Sequence, residues 1–312
     1  HGDFSSNVAM MMARAEKKAQ RKIAEALIAA LGEPNEFWQK VEIAGPGFIN
    51  FTLAPGCWYQ VLDRIAREDV VFGRSELGHG QKVQVEFVSA NPTGPLHIGH
   101  GRGAVVGDAV AALLQASGFD VQRDYYVNDA GNQVQTLGLS ILLRLRELQG
   151  EKIAFPEDGY QAGYVRDLAA RLQAEEGDLK GIDQAEAVES CARFGVVKVL
   201  EWISSDLKAF GIEFDNWYSE KSLYDRHMVD NELGKLKTKG LSYEQDNALW
   251  LRTTEYGDDK DLVLIKSDGS YTYFASDVAY HMEKFERGFD RVIDVWGADN
   301  HGYIPWMKET TA

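Results

Sequence analysis

From Lys82 to Leu148 the chain alternates between two kinds of segment in a fixed order, and that order leaves few folds open. "KVQVEFVSA" alternates as a strand does, "GAVVGDAVAALLQASG" runs at helical spacing to a glycine stop, "VQRDYYV" is a second strand, and a helix follows from about Gln133 to Leu148. Strand, helix, strand, helix is the signature of parallel strands joined by crossovers. The expected class is therefore α/β, a doubly wound parallel sheet.

Upstream, "SSNVAMMMARAEKKAQRKIAEALIAALG" has cap candidates Ser5, Ser6 and Asn7, apolar residues at helical spacing and Gly32 as a stop, which predicts one long amphipathic helix. "KVEIAGPGFINFTLAP" reads as two short strands around Gly45-Pro46-Gly47, and "CWYQVLDRIARE" as a helix. A small α/β domain over 1–75 results, separated by the glycine-bearing linker "DVVFGRSELGHGQ" from a second domain over 80–312. Within that domain, residues from about 150 to 255 turn helical, acidic and loop-broken, as a connective insertion would. Strand patterns return with "ALWLRTT" and "LVLIKSDGSYTYFAS", where Asp268-Gly269 predicts a hairpin, and end with "RVIDVWG".

The remaining bounds come from composition. The 312 residues are 45% hydrophobic, and no run approaches the length of a membrane helix, so a soluble cytoplasmic protein without a membrane partner is expected. The chain opens at His1 rather than methionine and stops just after Pro305, at an expected helix start, which predicts a piece of a longer protein. Cys57 and Cys191 lack C-x-x-C spacing and read as buried thiols. A net charge of −15 opposes general affinity for polyanions, so nucleic acid would have to meet a local basic patch. Arg14, Lys17, Lys18, Arg21 and Lys22 form one such run, against the plainer reading of a solvated helix face.

Three strand candidates end in polar clusters: Asn91 to Arg102, Asn128 to Gln133 and Gly297 to Gly302. Ligands of open α/β sheets bind beyond the carboxyl ends of the strands, so one shared site would explain all three. The first cluster, "NPTGPLHIGHGRG", lacks both the G-x-G-x-x-G fingerprint and the G-x-x-x-x-G-K-[ST] loop. A glycine-lined turn that feeds a helix N-terminus nevertheless suits phosphate, and His97 and His100 can donate hydrogen bonds to a phosphoryl group as its charge grows. The competing readings are helix capping and H-x-x-H metal ligation. No further ligands lie nearby in sequence, so no metal site is expected. Glu86, Asp129, Gln133, Tyr273, Asp277, Asp299 and Asn300 supply acceptors around the same crevice, which suits a cationic second substrate such as a guanidinium.

At these residues the chain resembles the class I aminoacyl-tRNA synthetases. "PLHIGHGRG" matches their H-I-G-H signature, which nucleotidyltransferases share, so a nucleotidyltransferase or a non-catalytic tRNA-binding fragment is the alternative on that motif alone. The surrounding "VEFVSANPTGPLHIGHGRGAVVGDA", "YYVNDAGNQ", "SDGSYTYFASDVAYH", "FERGFDRVIDVWGADNHGYIPWMK" and "VEIAGPGFIN" are similar to the arginyl members. The resemblance implies a Rossmann catalytic domain with a connective insertion, preceded by part of a tRNA-contacting domain, with the K-M-S-K-S-like signature beyond Ala312. It implies arginine, ATP (as Mg-ATP) and tRNA-Arg as substrates: arginyl-adenylate forms with loss of pyrophosphate, and the arginyl group passes to tRNA. It implies His97 and His100 as catalytic residues and Pro92, Gly94, His97, Gly99, His100, Gly297 and Asp299 about the ATP. Arginine would meet Glu86, Ser89, Asn91, Tyr273, Asp277 and Asn300: Glu86, Tyr273 and Asp277 at the guanidinium, Asn91 and Asn300 at the α-amino and carboxylate groups. Asn128, Asp129 and Gln133 are placed in the crevice without a named partner.

Overall fold

The structure is a computed structural model that describes residues 2–177, 179–256 and 259–297. It forms two units, His1–Arg74 and Ser75–Ala312.

In the first unit the order is β1 (Phe4–Ser6), α1 (Val8–Glu16), α2 (Gln20–Leu31), β2 (Trp38–Ala44), β3 (Phe48–Leu53) and α3 (Pro55–Glu68). The strands form an antiparallel sheet in the order β1-β3-β2, and Ala9, Ile23, Ala24 and Ile49 are its buried centre. The expected single long helix is two helices, broken where Lys17 adopts a left-handed φ of 50°. A continuous helix over that stretch would span over ~35 Å, whereas a strand of six or seven residues covers only ~20 Å. Folding back at Lys17 lays both apolar stripes on the same short sheet.

The second unit begins with β4 (Lys82–Phe87), α4 (Ile98–Ala116), β5 (Asp120–Val127), α5 (Asn132–Leu148), α6 (Gly163–Glu176), α7 (Gln184–Ala209) and β6 (Asn216–Ser219). It continues with α8 (Lys221–Asp225), α9 (Met228–Thr238), β7 (Ser242–Gln245), β8 (Ala248–Leu251), β9 (Leu262–Ile265), α10 (Tyr273–Glu286) and β10 (Arg291–Val295). Four parallel strands lie in the order β10-β4-β5-β6. Val83, Val85 and Phe87 of β4 pack with Ala104 and Ala111 of α4 and Leu137 and Ile141 of α5 in one apolar layer. Tyr218, Val229, Leu233, Val278 and Ala279 build a second layer with α9 and α10. The sheet is thus doubly wound, as expected. At Gly107, α4 lies so close to β4 that an added Cβ would sit 2.1 Å from Cγ of Phe87.

Two local expectations change. Within the stretch 150–255, read as an insertion, α6 and α7 are helical as expected, but β6 pairs with β5 from Asp124↔Asn216 to Val127↔Ser219. That part of the stretch therefore belongs to the parallel sheet itself. The Asp268-Gly269 turn forms, with Ile265 bridging Tyr271, but the second arm becomes α10 at Tyr273. Ala275, Val278 and Ala279 then recur at i, i+3 and i+4 and fill the core, so helical burial overrides the hairpin signal. The hairpin that does form joins β7 to β8 through Asp246 and Asn247, both at positive φ, as a primed turn requires.

Candidate functional site

From β4 to β5 to β6 the parallel strands advance in one direction, but β10 returns to pair on the other side of β4. The connections beyond the carboxyl ends of β4 and β10 must diverge there, and a topological switch point of this kind leaves a crevice. A cavity of about 650 Å³ occupies it, with Ser89, Asn91, His97, His100, Trp296 and Gly297 in its wall.

The chain leaves β4 through a strained elbow: Val88 has φ 67° and Ser89 φ 40°. A β-branched residue in the left-handed region is costly, and such outliers persist where surrounding contacts over-determine them. Here Ser89 Oγ donates to Glu86 Oε1 at 3.0 Å and accepts the backbone N–H of Tyr126 at 3.0 Å.

His97 is the N-cap of α4. Its Nδ1 accepts the Gly99 N–H at 3.1 Å, and Nδ1 of His100 accepts the His97 N–H at 3.2 Å, with the two rings stacked at 3.8 Å. An Nδ1 that accepts leaves the proton of a neutral ring on Nε2, so each histidine keeps one N–H donor beside the positive end of the helix dipole. Burial, aided by His97, lowers the His100 pKa below its ordinary 6.5, which favours the neutral ring. A Cβ at Gly99 would lie 2.9 Å from Cε1 of His97, so any side chain there would push the ring from its place. Capping is therefore how the loop holds these rings at the cavity wall.

The opposite face of β4 carries a buried polar cluster. Glu86, 7% exposed, accepts from Ser89, from the Tyr280 hydroxyl at 2.7 Å and from Lys284 Nζ at 2.8 Å. Lys284, fully buried, also meets Asp294 Oδ1 at 2.6 Å, and His281 Nε2 lies 3.1 Å from Asp294 Oδ2. Burial pulls the Lys284 pKa down, but Glu86 and Asp294 together hold it above the ordinary value, so the ammonium stays charged. Asp277 differs: its carboxylate accepts no hydrogen bond from any described side chain. Burial pushes its pKa up to about 7, against the opposing charge of His281 and with the charges of Glu220 and Glu86 adding to the rise. Tyr273, 57% exposed, precedes it by one turn of α10. Asp277 thus has no described side-chain partner, while Glu86 is matched to a resident lysine; neither acid, nor Tyr273, is among the residues in the wall of the 650 Å³ cavity.

The other expected residues divide. Asn91 Nδ2 donates to Gln133 Oε1 at 2.8 Å, which joins the first and second polar clusters. Pro92 is buried in the loop, Gly94 packs beneath Tyr164, and Gly297 lines the cavity. Asn128, with its amide turned to donate, reaches Glu220 Oε2 at 2.8 Å. Asp129 is used internally, accepting the Ser219 hydroxyl at 2.6 Å and the Lys221 N–H at 2.9 Å, so it braces β6 to α8. Asp299 and Asn300 lie outside the described residues. Among the described residues no cluster of three His, Cys, Asp or Glu could hold a metal, and no helix is long and apolar enough to cross a membrane.

Lys284, Tyr280 and Glu220 were not anticipated from sequence. One signal did point to the first two: Gln84 and Glu86 interrupt a central parallel strand, which ordinarily reads as continuously apolar, and buried polar groups there require partners.

Comparison with known proteins gives one consistent result. The family described as "tRNA synthetases class I (R), catalytic domain" matches residues 62–307, and "Arginyl tRNA synthetase N terminal domain" matches residues 1–53. An arginine–tRNA ligase of Syntrophotalea carbinolica is 64% identical over all of this chain and 56% of its own length. One from a Geobacter species is 57% identical over 99% of this chain and 56% of its own. The chain thus spans about half the length of these curated relatives. A solved Campylobacter jejuni structure is 40% identical with a TM-score of 0.77, over 83% of this chain and 57% of that one. Thermus thermophilus arginyl-tRNA synthetase shares the fold at 23% identity, TM-score 0.61, over 90% of this chain and 47% of its own.

Proposed function

We propose, from the premise that the chain belongs to the class I tRNA synthetases of the arginyl kind, that it is the part of an arginine–tRNA ligase that binds ATP and arginine. In the reaction, an arginine carboxylate oxygen attacks the α-phosphorus of Mg-ATP, the bond to pyrophosphate breaks, and a tRNA-Arg ribose hydroxyl then displaces AMP from the arginyl carbonyl. His97 and His100 donate Nε2–H to the phosphates as charge develops, on the N-terminal dipole of α4. Pro92, Gly94 and Gly99 shape the loop around the nucleotide, and Gly297 and Asp299 flank the adenosine. Asp277 and Tyr273 take the guanidinium with Glu86 in support. Ser89, Asn91 and Asn300 orient the amino-acid backbone, and Asn128 and Gln133 complete the crevice.

The residues 80–312 are the catalytic domain on this reading, and 1–75 a tRNA-contacting domain. Its basic run is in part paired locally, as in Lys22 with Glu25 at 2.9 Å, which leaves Arg14 and Lys17 as the better tRNA contacts. The working compartment is the cytoplasm.

The observation that supports the reading best is the Asp277 carboxylate, half-buried, without a described side-chain partner and one turn from Tyr273. Calorimetric titration with arginine, lysine and citrulline, each with and without a non-hydrolysable ATP analogue, tests it. Arginine should bind selectively over neutral citrulline. Binding of the ATP analogue alone, with no preference among amino acids, would refute it in favour of a nucleotidyltransferase.

A further inference from the structure

The loop between β4 and α4 is held by two tyrosine hydroxyls from different elements. Tyr125 of β5, fully buried, donates to the Ala90 carbonyl at 2.8 Å. Tyr164, in the first turn of α6, donates to the Thr93 carbonyl at 2.6 Å. The first bond ties down the segment that carries Ser89 and Asn91, the second the segment that leads through Gly94, Pro95 and Leu96 to His97. Gly94 fits this arrangement: a Cβ there would stand 3.1 Å from the Tyr164 hydroxyl oxygen and 3.3 Å from Cζ. Tyr164 is itself seated edge-on against Trp202 of α7, with ring centroids 6.4 Å apart. Burial pushes its hydroxyl pKa up to about 12, so it remains a donor throughout the physiological range. Thr93 is 8% exposed, and a buried carbonyl deprived of its donor has little water to replace it.

We propose that Tyr164 is a positioning residue for the nucleotide: it fixes the Thr93–Leu96 half of the loop and thereby the place of His97 and His100, while Tyr125 does the same for the amino-acid half. The inference rests on the reading of this cavity as an ATP and arginine site. It gives the α6–α7 segment, expected from sequence as a connective insertion, a direct hand in the phosphate loop.

Tyr164→Phe and Tyr125→Phe remove one hydroxyl each and keep the rings. In calorimetric titrations of the 312-residue chain, Tyr164→Phe should weaken the non-hydrolysable ATP analogue about tenfold and change arginine by less than about twofold. Tyr125→Phe should show the reverse preference. Gly94→Ala should also weaken the analogue, and by less in the Tyr164→Phe background, because the contact it offends is partly gone. Thermal unfolding of each variant reports whether it folds. Equal losses for both ligands in both variants, or an unchanged analogue affinity in Tyr164→Phe, would overturn the inference and leave the function standing. Wild-type chain that binds neither ligand would overturn the function and this inference with it.

Discussion

Asp277 allows the functional reading to be tested by pH alone. A carboxyl that titrates at about 7 is roughly one-eleventh ionised at pH 6 and ten-elevenths at pH 8, and only the ionised form should welcome a guanidinium. Arginine affinity should therefore rise about tenfold between pH 6 and 8, with up to one proton released per arginine at the low end. Calorimetry in two buffers of different ionisation enthalpy measures both quantities, and citrulline, which shares the α-amino group but lacks the charge, controls for everything else. Asp277→Asn should abolish the pH dependence and most of the affinity. The same shift has a stability consequence of opposite sign. Because the folded pKa lies above the ordinary 3.8, the unfolded chain holds fewer protons between about pH 4 and 7, and the empty protein loses stability as pH rises through that window. The cost at pH 8 is at most ~4 kcal/mol and nearer ~2 after solvent relaxation, so Asp277→Asn should be the more stable protein there. An arginine affinity flat from pH 6 to 8, or an asparagine variant that binds arginine as tightly as wild type, would refute the assignment of Asp277.

Gly99→Ala drives a Cβ into the His97 ring, so it should lose the cap of α4, at ~1 kcal/mol, and weaken the ATP analogue about tenfold. Urea unfolding and titration check the two parts, and an alanine variant that binds the analogue normally would contradict the role of His97. Lys284→Met strands Glu86 and Asp294 in the interior and should cost ~3–5 kcal/mol, part of which Glu86→Gln should restore in the double variant. Additive losses in that pair would deny the coupling.

The parts of the fold legible in sequence were those that repeat locally. The β4, α4, β5, α5 run carries its own periodicities and glycine stops, and the histidine loop between β4 and α4 stands out by composition. Elsewhere the deciding forces were distant. β6 is four residues, Asn216–Ser219, too short for a period, and becomes a strand because β5 offers it an edge. The β7–β8 turn uses Asp246-Asn247, without the glycine that would have marked it. Asp268-Gly269 marks a turn correctly, but the conformation of the next segment is decided by the core into which Ala275 and Val278 fit. Lys284 looks in sequence like any solvated helix residue; its partners Asp294 and, nearly 200 residues away, Glu86 let it stay charged while fully buried.

That pairing also explains how the polar side of β4 can carry so many acids. β4 is buried on both faces, apolar through Val83, Val85 and Phe87, polar through Gln84 and Glu86. The apolar face supports α4 and with it the histidine loop; the polar face meets α10, where Lys284 and Tyr280 are anchored. Without a resident cation, Glu86, Asp294, Asp277 and Glu220 would repel one another strongly enough to favour uptake of protons. With Lys284 satisfying Glu86 and Asp294, Asp277 is left without a described side-chain partner, and burial holds its pKa up at about 7. On the proposed reading a site built this way would respond to one positive charge, and the strained turn at Val88 and Ser89 is where the strand that holds Glu86 hands over to the loop that holds His97 and His100.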